Sequence, residues 1–315
     1  MGIHQVGTTQ GSNYTTNPRG NDLLPTVQGH WLSSAAPSHA SANILVMPAI
    51  PGALFAKNLV YRRGLLFHLV RRDFQQRFVG SAMGWLWGLI HPLVLMGVYT
   101  FVFSVCLKQE LGPEAETQNY PLYLLAGMLP WLLFSETVSR CGSCLIENQG
   151  LITKTMFPAE VVPVSIFLST LVGHAMAFSL LIAATGIWLR QVSPLLLLLP
   201  VYTVLLGLMA VGIGWMAAAL HVYLRDTAQV LAVVLTLWFW MTPIFITEEQ
   251  IPEGLRFLII GNPLAYIVRA YRLMLFTTRL PTQHDFGVVA AYAVGTFILG
   301  GLFFRHMKRG FADVL

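Results

Sequence analysis

The chain has little charge, little cysteine and no recognisable nucleotide loop, and each shortage excludes something. Only 10% of its 315 residues are Asp, Glu, Lys or Arg, against 55% hydrophobic. A soluble domain carries about 25% charged residues, so this chain lacks the polar surface that an ordinary globular protein shows to water. Three cysteines, Cys106, Cys141 and Cys144, do not make a disulfide framework. No Gly-x-x-x-x-Gly-Lys-Ser/Thr loop and no Gly-x-Gly-x-x-Gly turn occurs, nor any His-Glu-x-x-His pair. If ATP drives this protein, another polypeptide hydrolyses it. Carboxylates are nearly absent from the centres of the apolar runs, which argues against a proton- or sodium-coupled carrier. No internal repeat is visible, so an inverted-repeat carrier gains no support.

What the chain has is apolar length. Several runs reach the roughly 20 residues that a bilayer crossing requires. A membrane barrel would show short alternating segments instead. The fold class is all-α, a polytopic membrane protein with six transmembrane helices. The spans are expected at about 84–107, 120–140, 161–189, 195–220, 227–246 and 286–305, within a permease domain over 80–305. Residues 1–43 are rich in Gly, Ser, Thr, Asn and Pro and read as a disordered tail. They show no basic leader, and the first apolar piece is broken by Pro48 and Pro51, so a signal peptide is not expected. Residues 306–315 form a short C-terminal tail.

Residues 44–79 hold an amphipathic segment before the first span. Leu59, Leu66, Phe67, Val70, Phe74 and Phe78 fall near one helical face. Arg62, Arg72, Asp73 and Gln76 fall elsewhere, Arg71 adds basic charge, and Arg63 and Arg77 break the stripe. That pattern suits a helix lying in the interface, its arginines on anionic headgroups. A plain exposed basic linker is the alternative. The net charge of +5 does not point to nucleic acid, because much of it flanks spans.

Lys and Arg also orient the chain. Arg62, Arg63, Arg71, Arg72, Arg77, Arg140, Lys154, Arg225, Arg305, Lys308 and Arg309 fall on one set of ends. The opposite loops mix basic residues with Glu110, Glu114, Glu116, Glu248, Glu249 and Glu253. The first set belongs in the cytoplasm, and an even span count puts both termini there.

Three features remain. The stretch Asn148–Pro163 (NQGLITKTMFPAEVVP) is patterned and apolar although it lies outside the spans. Between spans five and six, Gly261, Asn262 and Pro263 interrupt an apolar piece, which favours two short re-entrant helices over one span. Irregular backbone at that depth must lie against protein or a water-filled cavity. Cys141 and Cys144 form a Cys-x-x-Cys, better read as small residues at a helix end than as a zinc site lacking two ligands. His91 and His174 sit inside spans without acidic partners, which suits packing or a polar lining. Trp85, Trp87, Tyr99 and Phe103 fit interfacial belts and are also candidates for lining a sugar path.

Several pieces together resemble the permeases of ABC exporters of surface polysaccharides. LVRRDFQQRFVGSAMGWLWGLIHPLVLMGVYTFVF is similar to the family's basic helix and first span, with Gly84, Trp87 and Pro92 in pattern. Asn148, Leu151, Ile152, Lys154, Phe157, Pro158, Glu160 and Pro163 resemble its cytoplasmic loop. Arg225, Asp226, Pro243 and Ile244 resemble its fifth span, and NPLAYIVRAYR and FADVL also match. The likeness covers about residues 58–315. It implies a homodimer in the bacterial inner membrane, served by two copies of a separate ABC ATPase that binds ATP and Mg. It implies a lipid-linked glycan, on undecaprenyl diphosphate, as cargo. The patterned loop becomes a coupling helix, with Leu151, Ile152, Met156 and Phe157 filling an apolar groove of the ATPase. Gly261, Asn262 and Pro263 become the tip of an outer gate. The alternatives are an exporter of a small lipid or drug, and a membrane-embedded glycosyl- or acyltransferase.

Overall fold

The computed structural model describes residues 63–77, 79–113, 115–154, 157–190 and 193–311. The tail over 1–43, Arg62, Phe78, Glu114, Met156 and residues 312–315 lie outside the described residues. Every regular element among those described is a helix. In chain order they are α1 (Arg63–Gln76), α2 (Trp87–Thr100), α3 (Tyr120–Glu147), α4 (Gln149–Lys154), α5 (Val161–Leu189), α6 (Leu199–Tyr223), α7 (Thr227–Met241), α8 (Phe257–Ile260), α9 (Pro263–Phe276) and α10 (Gln283–Met307). A 3₁₀ turn, Gly84–Leu86, leads into α2, and a π-helical turn, Phe101–Cys106, ends it.

Three of these helices begin with one local device. Asn119 accepts from the Leu122 amide ahead of α3, with Pro121 in the first turn. Ser193 does the same for Leu195 before the 3₁₀ turn Pro194–Leu198 that opens α6. Asn262 accepts from Leu264 ahead of α9. A short polar cap satisfies one orphan amide, and a proline in the first turn has no amide to satisfy.

Among the described residues, five helical segments are long and apolar enough to cross a bilayer: Gly84–Cys106, Tyr120–Glu147, Val161–Leu189, Pro194–Tyr223 and Gln283–Gly310. The fifth expected span, 227–246, is shorter than the sequence suggested. Its helix stops at Met241 after 15 residues, about 22 Å at 1.5 Å per residue, against a hydrocarbon core of about 30 Å. Pro243 explains the stop, because it lacks an amide and clashes with a continuing turn. The second span departs in the other direction. Expected over 120–140, it runs to Glu147, and Cys141, Cys144 and Leu145 of the added turns are buried in the bundle. The interrupted segment yields α8 with 4 residues and α9 with 14, neither of them a crossing length.

α3 is the most enclosed span and packs against α2, α5, α6, α7 and α9. Side-chain hydrogen bonds and ion pairs gather the helix ends into two sets. On one, Asp73 of α1 pairs with Arg140, Lys308 pairs with Glu160, and the Tyr223 hydroxyl donates to the Met307 carbonyl. On the other, Ser193 donates to the Thr277 carbonyl, Tyr120 to that of Phe245, and Tyr123 to that of Ile246. The first set gathers ends rich in Lys and Arg.

Lipid tails are as apolar as leucine, so packing between spans depends on close approach rather than on water exclusion. α6 and α10 meet at Gly212 and Gly300. A Cβ on Gly212 would lie 2.6 Å from the Thr296 carbonyl carbon and 2.7 Å from the Phe297 amide nitrogen. These neighbours are backbone and cannot swing aside. Gly214 likewise seats against the Cys141 side chain, so the Cys-x-x-Cys is packing: both cysteines are fully buried. Gly212→Leu is expected to cost about 1–3 kcal/mol, the range for overpacking a tight contact. Gly295→Ala, where a Cβ meets nothing within 4 Å, is expected to be neutral. Thermal unfolding of both variants in detergent checks the contrast, and equal midpoints would remove the glycine contact from the account.

Candidate functional site

The patterned loop folds as α4, a six-residue helix hung from α3 by one side chain. Asn148 Nδ2 donates to the Cys144 carbonyl at 2.9 Å, closing α3. The Asn148 carbonyl accepts from the amides of Leu151 and Ile152 at 3.0 and 3.1 Å, opening α4. Its Oδ1 accepts from Arg72 of α1 at 2.6 Å. One asparagine thus joins three helices. Gly150 is exposed, and nothing lies within 4 Å of the place its Cβ would take. Ile152 and Phe157 pack partly against the protein's own core, so they are not wholly free to fill a partner's groove as the sequence suggested. Pro158 accepts from the Val161 amide at the entry to α5. Glu160 is also committed internally, receiving Lys308 Nζ at 2.6 Å. The Lys154 backbone ends α4; its side chain lies outside the described residues.

α1 sits differently from the sequence expectation. Phe67, assigned there to the apolar stripe, is 65% exposed. Leu69 is buried, and Leu66 packs against the core. Asp73 and Arg77, assigned to the polar side or read as breaking the stripe, turn inward. Arg77 Nη1 lies 2.7 Å from Glu136, and its Nη2 donates to Thr170 Oγ1 at 2.5 Å. Asp73 receives Arg140 at 2.5 Å and lies 3.6 Å from Arg77 Nε. Two acids and two arginines therefore join α1, α3 and α5. Burial pushes the Arg77 pKa down, and Glu136 and Asp73 oppose that shift. An arginine stays charged at neutral pH regardless. Arg63, Arg71 and Arg72 are exposed, and Phe74 joins Arg77 in facing a cavity. Sequence reading did not find Glu136 as the partner of Arg77, nor Arg140 as the partner of Asp73. Two charges one turn apart in an otherwise apolar helix were the available signal.

That cavity holds about 710 Å³. Its walls come from α1, α2, α3, α5 and α7. Trp87 and Tyr99 line it; Trp85 and Phe103, expected with them, do not. Trp85 is 52% exposed. Phe103 stacks on Phe245 at 4.7 Å, in a cluster that also takes Tyr99 and Phe239. His91 and His174 both line the cavity.

The third expected site, Gly261, Asn262 and Pro263, lies between the short helices α8 and α9 and is largely buried. Only Gly261 is exposed. Asn262 Oδ1 accepts from Trp238 Nε1 at 2.8 Å, and its Nδ2 donates to Thr242 Oγ1 at 3.0 Å. The reason is the break after Met241: polar groups released there need partners, and Asn262 provides them. Arg272 serves the same break. Its guanidinium donates to the carbonyls of Pro243 at 3.0 Å and Ile244 at 2.8 Å, and lies 3.5 Å from the centre of the Tyr123 ring. Arg269 pairs with Glu248 and with Asp285, the latter at 2.9 Å. No group of three or more His, Cys, Asp or Glu able to hold a metal occurs among the described residues.

With this geometry in view, comparison with known proteins is specific. A model of the ABC-2 type transporter family matches residues 64–276, more than half of the chain and all of α2–α9. An O-antigen export system permease protein, RfbA, of Myxococcus xanthus is 28% identical over 259 residues, covering 82% of this chain and 97% of the relative. One from Klebsiella pneumoniae is 26% identical over 261 residues, with the same coverage. The polysialic acid transport protein KpsM of Escherichia coli is 21% identical over 250 residues, covering 76% of this chain and 92% of the relative.

The charge cluster generates a direct test. Arg77→Gln leaves Glu136 with no arginine and Asp73 with one. The expected loss is about 2 kcal/mol, between the values for exposed and fully buried pairs. Glu136→Gln is expected to cost less, because Arg77 keeps Thr170 and Asp73. The double variant should cost less than the sum, by a coupling of roughly 0.5 kcal/mol or more. Strict additivity in detergent unfolding would mean the pair is not coupled.

Proposed function

Because the chain belongs to the ABC-2 type transporter family, we propose that it is the transmembrane subunit of an ATP-driven exporter of lipid-linked polysaccharide. The observation that carries this reading is the near end-to-end match to permeases named for O-antigen export. The chain is a transport permease and not an enzyme. Permeases of such exporters work with ABC ATPase subunits, and the chemistry of ATP and Mg belongs to that partner. We place two ATPase copies on a permease homodimer in the bacterial inner membrane, with undecaprenyl diphosphate as the glycan's carrier. Both termini and α4 lie in the cytoplasm, on the side where the Lys- and Arg-rich ends gather. Apolar faces support a second copy or lipid around α2 and α7, where Val94, Val98, Val230, Val233 and Leu237 are exposed.

α4 is the surface that receives the ATPase. A short helix held rigidly to α3 and α1 through Asn148 carries a push from a partner into the bundle. Membrane lipids bear on the exposed arginines of α1. The segment around α8 and α9 closes the outer end as a gate.

Gly150→Trp tests the coupling surface. Open space surrounds Gly150 in this chain, and loss of a helical glycine is itself favourable by up to about 1 kcal/mol. The permease should therefore fold and accumulate normally. A docked ATPase leaves no room for an indole there. The expected result is normal permease yield with ATPase co-purification and surface polysaccharide both reduced at least tenfold. A variant that keeps its ATPase and exports normally would show that the partner docks elsewhere.

A further inference from the structure

α4 is too short to hold its own place. It has six residues, and an isolated helix is marginal in water below about 12–15. Pressure on it is felt elsewhere only through the contacts at its two ends. The first end is tied by Asn148 to Arg72 of α1 and to the last turn of α3. α1 is in turn pinned to α3 through Asp73–Arg140 and Arg77–Glu136. A push that enters there moves α1 and α3 as one body.

The second end reaches a different pair of helices. Glu160, at the entry to α5, is held twice. Its carbonyl accepts from Trp215 Nε1 of α6 at 3.0 Å. Its carboxylate receives Lys308 Nζ, just past α10, at 2.6 Å. Lys308 sits on a fixed segment. The Tyr223 hydroxyl of α6 donates to the Met307 carbonyl at 2.8 Å. Phe311, which is buried, packs on the rings of Phe304 at 5.5 Å and Tyr223 at 6.1 Å. α6 and α10 also meet backbone to backbone at Gly212 and Gly300. Helices packed so closely have no soft layer between them and shift together.

The side chains of Lys308 and Glu160 are 40% and 34% exposed. An ion pair that open to water adds little to stability. Its effect is on where two segments distant in sequence sit relative to each other.

We propose that Glu160 and Lys308 are positioning residues for transport: their ion pair passes displacement of α4 to the pair α6–α10, so that a stroke of the ATPase moves the last span together with α1 and α3. This inference rests on the reading of α4 as the surface that receives the ATPase. It adds the contact through which the far end of that surface drives the bundle as a rigid body.

The test uses the full exporter in cells that depend on this chain for surface polysaccharide, with bound ATPase and its hydrolysis rate measured on the purified complex. Lys308→Glu and Glu160→Lys each bring like charges together. In either, export should fall about fivefold, or about 1 kcal/mol in rate. Bound ATPase and hydrolysis per permease should stay within about twofold of wild type, because α4 itself is unaltered and the pair is too exposed to govern folding. The exchanged pair, Glu160→Lys with Lys308→Glu, should bring export back to within about twofold of wild type, as coupled residues do. An exchange that exports no better than the single variants would overturn the proposal, because the two residues would then act separately. Normal export in both single variants would also overturn it. Loss of bound ATPase in Glu160→Lys would do the same, by placing Glu160 on the docking surface. Where charge reversal lowers the amount of permease, Lys308→Met keeps the apolar stem and Lys308→Arg keeps the charge. Export should fall in the first and hold in the second, and equal export in the two would overturn the proposal. A wild-type chain that restores no surface polysaccharide would overturn the exporter reading, and this inference with it, before any variant is compared.

Discussion

The cluster of Asp73, Arg77, Glu136 and Arg140 is the interaction on which the rest of the site depends. A helix lying in the membrane interface is held by its apolar face, which fixes depth but not azimuth or register. Four charges at defined distances fix both. With α1 seated this way, Phe74 and Arg77 face the cavity and Arg72 reaches Asn148. The same contact therefore forms part of the cavity wall and braces the start of α4. In a medium that leaves charge poorly solvated, such groups must be paired.

The opposite end follows the same constraint with different partners. Backbone released from helical bonding has no water to turn to within the hydrocarbon. The chain leaves helical geometry after Met241, and the carbonyls of Pro243 and Ile244 are taken by Arg272. Asn262 closes the amide end of α9 and the indole of Trp238 together. A Cβ on Gly127 would meet the Arg272 guanidinium at 2.7 Å, so a glycine on α3 makes room for the cation that serves the break. The result is a tied joint between α3, α7 and α9, suited to moving as a unit.

Between these ends, packing is uneven. α6 and α10 approach through glycine, whereas α2 is buried along little of its length. A span that packs on one side only can shift without breaking a core. Its π-helical turn, Phe101–Cys106, is a further departure from regular bonding of the kind found at functional sites.

The sequence by itself determined the class, the presence of several long apolar runs and the segregation of Lys and Arg. Each of these is a local property: length against bilayer thickness, charge beside a span. Resemblance in the motifs around Gly84, Trp87 and Pro92 extended that to a family. Only the tertiary structure decided which charges are spent inside. Arg77 looked like a flaw in an amphipathic stripe because its partners, Glu136 and Thr170, are distant in sequence. Asn262 read as a loop tip because Trp238 and Thr242 reach it only once the helix before Pro243 has ended. Periodicity reports which face of a helix is apolar; it does not report which polar group has been brought opposite another.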